Sequence, residues 1–203
     1  MFREKNIYGQ DPRIIVRSRT TFYDPLKWKT PKRIFVCSWS DFYIEEADPW
    51  RPEAWQLIKA TPGHVFMILT KRPERIPALP DLENVWIGVS VESGDFLHRV
   101  DSLLLHDYPR SFVSLEPFIA PIDIQTYLPR LSWVIAGGES GSGARPMISA
   151  WARKIYIQCK SKGVPFFFKQ MGGSRKIGGV WGGELLDGKK IQQIPKEMKQ
   201  ITG

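Results

Sequence analysis

The sequence predicts an α/β protein, built as a TIM-like parallel β/α barrel that is incomplete or irregular and shows about six strands. Three observations carry this. Short apolar runs rich in β-branched and aromatic residues recur roughly every twenty to thirty residues, with helical or loop segments between them. Each run ends on a polar or charged residue. The first strand is not followed by G-x-G-x-x-G, which speaks against a dinucleotide-binding doubly wound sheet.

The elements follow in order. Met1 to Thr30 has no clear period and reads as a connector, with Arg13–Arg17 as a possible short strand and a turn at Asp24-Pro25. Arg33–Ser38 is the first strand, with Cys37 inside it. Pro52–Ala60 is a helix that starts on proline and stops at Pro62-Gly63. His64–Leu69 and Val85–Val89 are the next two strands. Phe96–His106 is a helix with Phe96, Val100, Leu103 and Leu104 on one face. Ser111–Val113 begins the fourth strand. Trp133–Ala136, WVIA, has no charge in it and reads as a fifth strand buried on both faces. A glycine-rich turn, Gly137 to Gly143, follows it, and Ser149 is placed to cap a helix from about Ala150 to Lys162. Val164–Phe168 is the sixth strand. The connections after the second and fourth strands are short on helix, which makes the barrel irregular. Met171 to Gly183 reads as a mobile glycine-rich loop, and Leu185 to Gly203 as a basic tail wrapped around the outside. The organisation is therefore a connector (1–30), a barrel-like domain (31–183) and a basic tail (184–203).

Composition bounds the function. A chain of 203 residues can bury one sizeable core. It has no apolar run long enough to span a bilayer and no apolar signal core at its start. Its two cysteines, Cys37 and Cys159, form no C-x-x-C pair and read as packing residues of a cytoplasmic protein. The formal charge of +8 suits an anionic partner such as a nucleic acid or nucleotide, or simply a solvated basic surface. Trp28, Trp39 and Trp181 lie in polar settings where an indole can stack on a base. His64, His98 and His106 lack metal-ligand spacing, and no metal site is expected.

In a parallel barrel the C-terminal strand ends converge on one mouth, where ligands bind. The residues placed there are Asp41, Lys71, Arg72, Glu92, Glu116, Glu139, Lys169 and Gln170. Glu116, before Pro117, and Glu139, between glycines, are the candidate catalytic carboxylates, because the flanking residues fix the backbone around each. Gly137, Gly138, Ser140 and Arg145 complete the candidate binding set. Arg145 can pair with a bound carboxylate or phosphate, or with Glu139 to shape the loop. Structural ion pairs are the competing account for every charge in the set.

The segments RIFVCSWSDFY, ILTKRPER, NVWIGVSVES, SLEPFIAPID, WVIAGGESGSGARPM, VPFFFKQMGG and LLDGK, in this order, closely resemble the phage-type three-Cys-motif family, a domain of unknown function from phages and bacterial genomes. The resemblance covers nearly the whole chain. It implies a radical-SAM-like enzyme with a TIM-like barrel, in which an N-terminal segment ending C-x-x-C-Tyr-Ala holds a [4Fe–4S] cluster that binds S-adenosylmethionine. MFREKNIYGQDP resembles the stretch just after that segment, so this chain as given is expected to hold no cofactor of its own. A late start, a fragment and a naturally shortened protein each account for this. Loss of a first strand is expected to expose sheet edges and favour self-association. The function expected from the resemblance is redox chemistry on a nucleotide or nucleic acid. The alternatives are a non-enzymatic nucleic-acid-binding module and a barrel enzyme using its mouth carboxylates as acid and base.

Overall fold

The computed structural model describes residues 14–77 and 82–201. Six parallel strands form one sheet: β1 (Arg33–Val36), β2 (Val65–Thr70), β3 (Val85–Ser90), β4 (Ser111–Leu115), β5 (Trp133–Gly137) and β6 (Phe166–Gln170). Their spatial order is their chain order, so every crossover moves one strand further in the same direction. Right-handed crossovers of this kind put every crossover helix on the same face of the sheet. The sheet curls into a half-barrel rather than a closed TIM barrel. The helices are α1 (Arg51–Ala60), α2 (His98–Leu104), α3 (Ser149–Lys162) and α4 (Lys196–Ile201).

The β2–β3 and β4–β5 connections carry 3₁₀ turns, Pro73–Arg75 and Leu128–Arg130, where the other crossovers carry α-helices. This is the irregularity expected from their composition. Ile14 to Arg17 form no strand, and Arg13 lies outside the described residues, as does the MFREKNIYGQDP stretch. Ser149 is the first residue of α3 and makes no capping hydrogen bond; Ile148 stands at the cap. The predicted helix from Phe96 divides into a 3₁₀ turn, Gly94–Phe96, and α2.

Alternation along the strands builds two cores. The larger one, on the helix side, takes Phe66, Ile68, Val85, Ile87, Val89, Val113, Leu115, Val134, Phe166 and Phe168, together with Val100, Leu103, Ile155 and Cys159 from the helices. The second lies on the concave face and takes Val65, Trp86, Phe112, Trp133 and Ile135. Phe112 reaches across β3 over Gly88, where a Cβ would lie 2.5 Å from its ring. β5 is buried on both faces along its whole length, as its uncharged sequence requires.

The chain after β6 departs from expectation. Lys176–Ile177 (β7) and Val180–Trp181 (β8) form an antiparallel hairpin where a mobile loop is expected. Leu185–Leu186 (β9) and Lys189–Lys190 (β10) form a second one. The tail does not wrap the outside. Leu186 enters the larger core and Met198 of α4 plugs the concave one. Ile191 to Gln193 run along the free edge of β6, where Phe168 N–H donates to Ile191 O at 2.7 Å and Gln193 N–H to Phe166 O at 3.0 Å. The physical reason is burial: Leu186 and Met198 are apolar, and β6 presents backbone groups that need partners. On the other side, no strand among the described residues pairs with the outer edge of β1.

Candidate active site at the strand ends

The loop after β1 is latched to β2 by Asp41. Its carboxylate accepts from Tyr43 N–H at 2.9 Å, Thr70 Oγ1 at 2.8 Å, Lys71 N–H at 2.9 Å and Arg72 Nη1 at 3.1 Å. Four donors saturate it, so Asp41 and Arg72 shape the rim.

Glu92, just past β3, is buried and meets two cations. Lys71 Nζ pairs with Oε1, and Arg99 Nη1 lies 2.9 Å from Oε2. Arg99 also donates to Ser90 O at 2.8 Å and lies 4.2 Å from the centre of the Phe96 ring. Sequence reasoning missed Arg99, because a charge on a helix carries no sign that it turns toward a neighbouring strand end.

Glu139 follows β5. Arg145 donates to it three times: from its backbone N–H at 2.9 Å, from Nε at 2.8 Å and from Nη2 at 2.9 Å. Of the two accounts open for Arg145, the loop-shaping pair with Glu139 is the one formed. The guanidinium hydrogen bonds, then the backbone one, hold the Glu139 carboxyl at about 2 against its usual 4.5. The carboxylate of Glu92 adds to the preference of Arg145 for its charged form. A depressed folded pKa means that the pair stabilises the fold above the unfolded value of 4.5 and loses that contribution as pH falls toward about 2. The side chains are 30% and 57% exposed, so the contribution is small. Arg145→Met is expected to flatten the acid unfolding curve, followed by tryptophan fluorescence, between pH 4.5 and 2. A slope equal to that of the parent protein removes the pair from the acid response.

Glu116 follows β4 and lies over β5. Ser114, two residues earlier and therefore on the same strand face, donates from Oγ to Oε2 at 2.9 Å. Lys169 Nζ lies 3.2 Å from Oε1. Gly137 lies directly beneath Glu116 and Gln170: a Cβ on it would lie 2.6 Å from Glu116 Oε1 and 2.9 Å from Gln170 Nε2, so a larger residue there would push these two side-chain ends aside. Gln170 donates from Nε2 to Gly138 O at 2.9 Å, while Gly138 N–H donates to Gln170 O at 2.9 Å. The Lys169 side chain is 57% exposed and the Glu116 side chain 18%.

The loops after β5 and β6 interlock through their backbones. Gly173 N–H donates to Glu139 O at 2.7 Å, Gly141 N–H to Gly173 O at 3.1 Å, and Ser140 bridges to Gly173. A Cβ on Gly138 would lie 2.0 Å from Met171 O, and one on Gly172 would lie 2.3 Å from Glu139 O.

The predicted residues thus gather in three linked groups: Asp41 with Arg72; Lys71 with Glu92; and Glu116, Lys169, Gly137, Gly138 and Gln170 beside the Glu139–Arg145 loop. Ser114, Arg99 and Gly172 are additions.

A family model described as a protein of unknown function (DUF5131) matches residues 4–195. The chain belongs to this family. Neither the curated proteins nor the solved structures yield a match.

The cysteines of this DUF5131 chain do not fit a [4Fe–4S] cluster, which needs at least three thiolates. Cys37 is not inside a strand; it follows β1 as an exposed residue with φ of +56°. Cys159 is buried under the helix side of the sheet, and burial pushes its thiol up to about 12. Among the described residues, no three histidines, cysteines or carboxylates are grouped to hold a metal ion.

Proposed function

We propose that the strand-end mouth is the ligand site of a radical-SAM-like protein of phage or prophage type, in which Glu116 is the proton-accepting group and Lys169 holds an anionic part of the ligand. The observation that carries the assignment is the unequal commitment of the mouth carboxylates. Asp41 accepts four hydrogen bonds, Glu92 sits between two cations and Glu139 accepts three bonds from Arg145. Among the described residues, Glu116 has one hydroxyl and one ammonium whose side chain is more than half exposed. A ligand that draws Lys169 away leaves Oε1 free to accept a proton or to hold an ammonium group, while Ser114 keeps the carboxylate oriented. Glu139 gives its oxygens to Arg145, so the amino-group contact falls to Glu116. The sequentially wound parallel sheet supports the reading, since its strand ends converge on this mouth. Because the cysteines present do not fit the iron–sulfur cluster, the roles assigned are those of side chains alone.

Isothermal titration calorimetry with S-adenosylmethionine and with ATP tests this. At least one probe is expected to bind. Glu116→Gln removes a charge-assisted contact worth about 1.5–3 kcal/mol, so affinity falls about tenfold or more. Lys169→Met is expected to weaken ATP more than S-adenosylmethionine. Absence of binding by either probe, or equal affinities for parent and Glu116→Gln, overturns the assignment.

A further inference from the structure

We propose that the β7–β8 hairpin is a binding finger for single-stranded nucleic acid, held beside the strand-end mouth. The inference stands independently of what the mouth binds.

Its backbone is built to project. Gly178 and Gly179 form the two-residue turn, both with positive φ (58° and 83°), as hairpin turns of the primed type require. Lys176 pairs directly across from Trp181, and its ammonium lies 5.1 Å from the centre of the indole. The base is pinned: Met171 N–H donates to Gly183 O at 2.8 Å, Gly172 N–H to Trp181 O at 3.0 Å and Gly182 N–H to Arg175 O at 2.8 Å. Through Gly173 and Glu139 the finger is tied to the loop after β5. Its position relative to Glu116 and Lys169 is therefore set by backbone hydrogen bonds.

Its surface has the chemistry of a polyanion site. Arg175, Lys176 and Ile177 are exposed, with Ile177 at 62%. Between Lys169 and Gly183 there are two basic residues, Arg175 and Lys176, and no acidic one. Among the described residues, neither Arg175 nor Lys176 pairs with a carboxylate. Elsewhere many cations are spent on ion pairs, such as Arg51 and Arg75 on Asp48, Arg153 on Asp187 and Lys154 on Asp123. Cations with no carboxylate partner, one of them set against a half-buried indole, form the combination that tracks phosphates and stacks on a base. The indole asks for an unpaired base, so single strands are favoured over duplex.

Fluorescence anisotropy with a labelled twenty-nucleotide oligo(dT) tests the proposal on the whole chain. Binding is expected at 50 mM salt and falls steeply with added salt. Arg175→Gln/Lys176→Gln is expected to weaken it about tenfold or more and to lower the log–log salt slope by about 1.4, at roughly 0.7 per lost phosphate contact. Trp181→Leu is expected to weaken it at least about fivefold. The control, Lys160→Gln/Lys162→Gln on α3, keeps the parent affinity. Circular dichroism melts check that each variant is folded. No binding at 50 mM salt, an undiminished affinity in the Arg175/Lys176 variant, an equal loss in the α3 control, or equal affinity for a duplex of the same length overturns the proposal.

Discussion

Gly138→Ala and Gly182→Ala are expected to be the most destabilising single-methyl additions on the mouth side of the protein. In each case the new Cβ meets backbone rather than a movable side chain: 2.0 Å from Met171 O at position 138, and 1.9 Å from Gly172 O at position 182. No rotamer change relieves such a contact, so backbone must shift and break hydrogen bonds, between the loops after β5 and β6 at position 138 and within the chain after β6 at position 182. A cost of about 3 kcal/mol is expected for each, which for a chain of this size lowers the melting temperature by about 6–12 °C. Gly63→Ala is the control, because its position is open and its φ is ordinary; its effect is expected within about 0.5 kcal/mol. Thermal melts of the three variants decide the matter. If Gly138→Ala melts with Gly63→Ala, the β5 and β6 loops are not packed backbone to backbone.

Glu92→Ala is the second large effect. The carboxylate side chain is 9% exposed and that of Arg99 is 13% exposed. Removing it leaves the guanidinium largely out of water, with the Ser90 carbonyl and the Phe96 ring as its remaining neighbours. Breaking a buried pair on one side costs about 3–5 kcal/mol, mostly as the desolvation of the charge left behind. Replacing both partners with apolar residues, Glu92→Leu/Arg99→Met, is expected to recover at least half of that loss in urea unfolding. A double variant as unstable as Glu92→Ala would mean that Glu92 acts through something other than Arg99. This outcome also bears on function: a Glu92 whose worth is structural leaves Glu116 as the mouth carboxylate available to a ligand.

Part of this was written in local sequence. An uncharged run such as WVIA has nowhere to go but a doubly buried strand, and the rhythm of such runs with helical stretches requires parallel strands. The polar residue after each run marks a strand end, and Glu116, Lys169 and Gln170 meet as that rule predicts. The two hairpins were also legible. Ile-Gly-Gly-Val and Leu-Asp-Gly-Lys are turn sequences of the primed type, and Asp187 and Gly188 have positive φ, as such a turn needs. Reading glycine density as mobility hid the first; reading lysine density as a solvated tail hid the second.

What the sequence by itself determined is the parallel α/β class, the positions of the six strands and the residues that leave each strand end, because these follow from local patterns of apolar side chains. Only the tertiary structure decided that the sheet curls without closing, that α4 plugs the concave face with Met198, and how each mouth charge is spent. Those outcomes depend on which groups lie within about 3 Å of one another across the fold. Arg99 and Glu92 are near in sequence and Arg145 and Glu139 nearer still, yet nothing local says that these pairs close while Glu116, among the described residues, keeps a serine and an exposed lysine. Commitment of a carboxylate is a property of the space around it, and that space is made by loops from different strands arriving at one mouth.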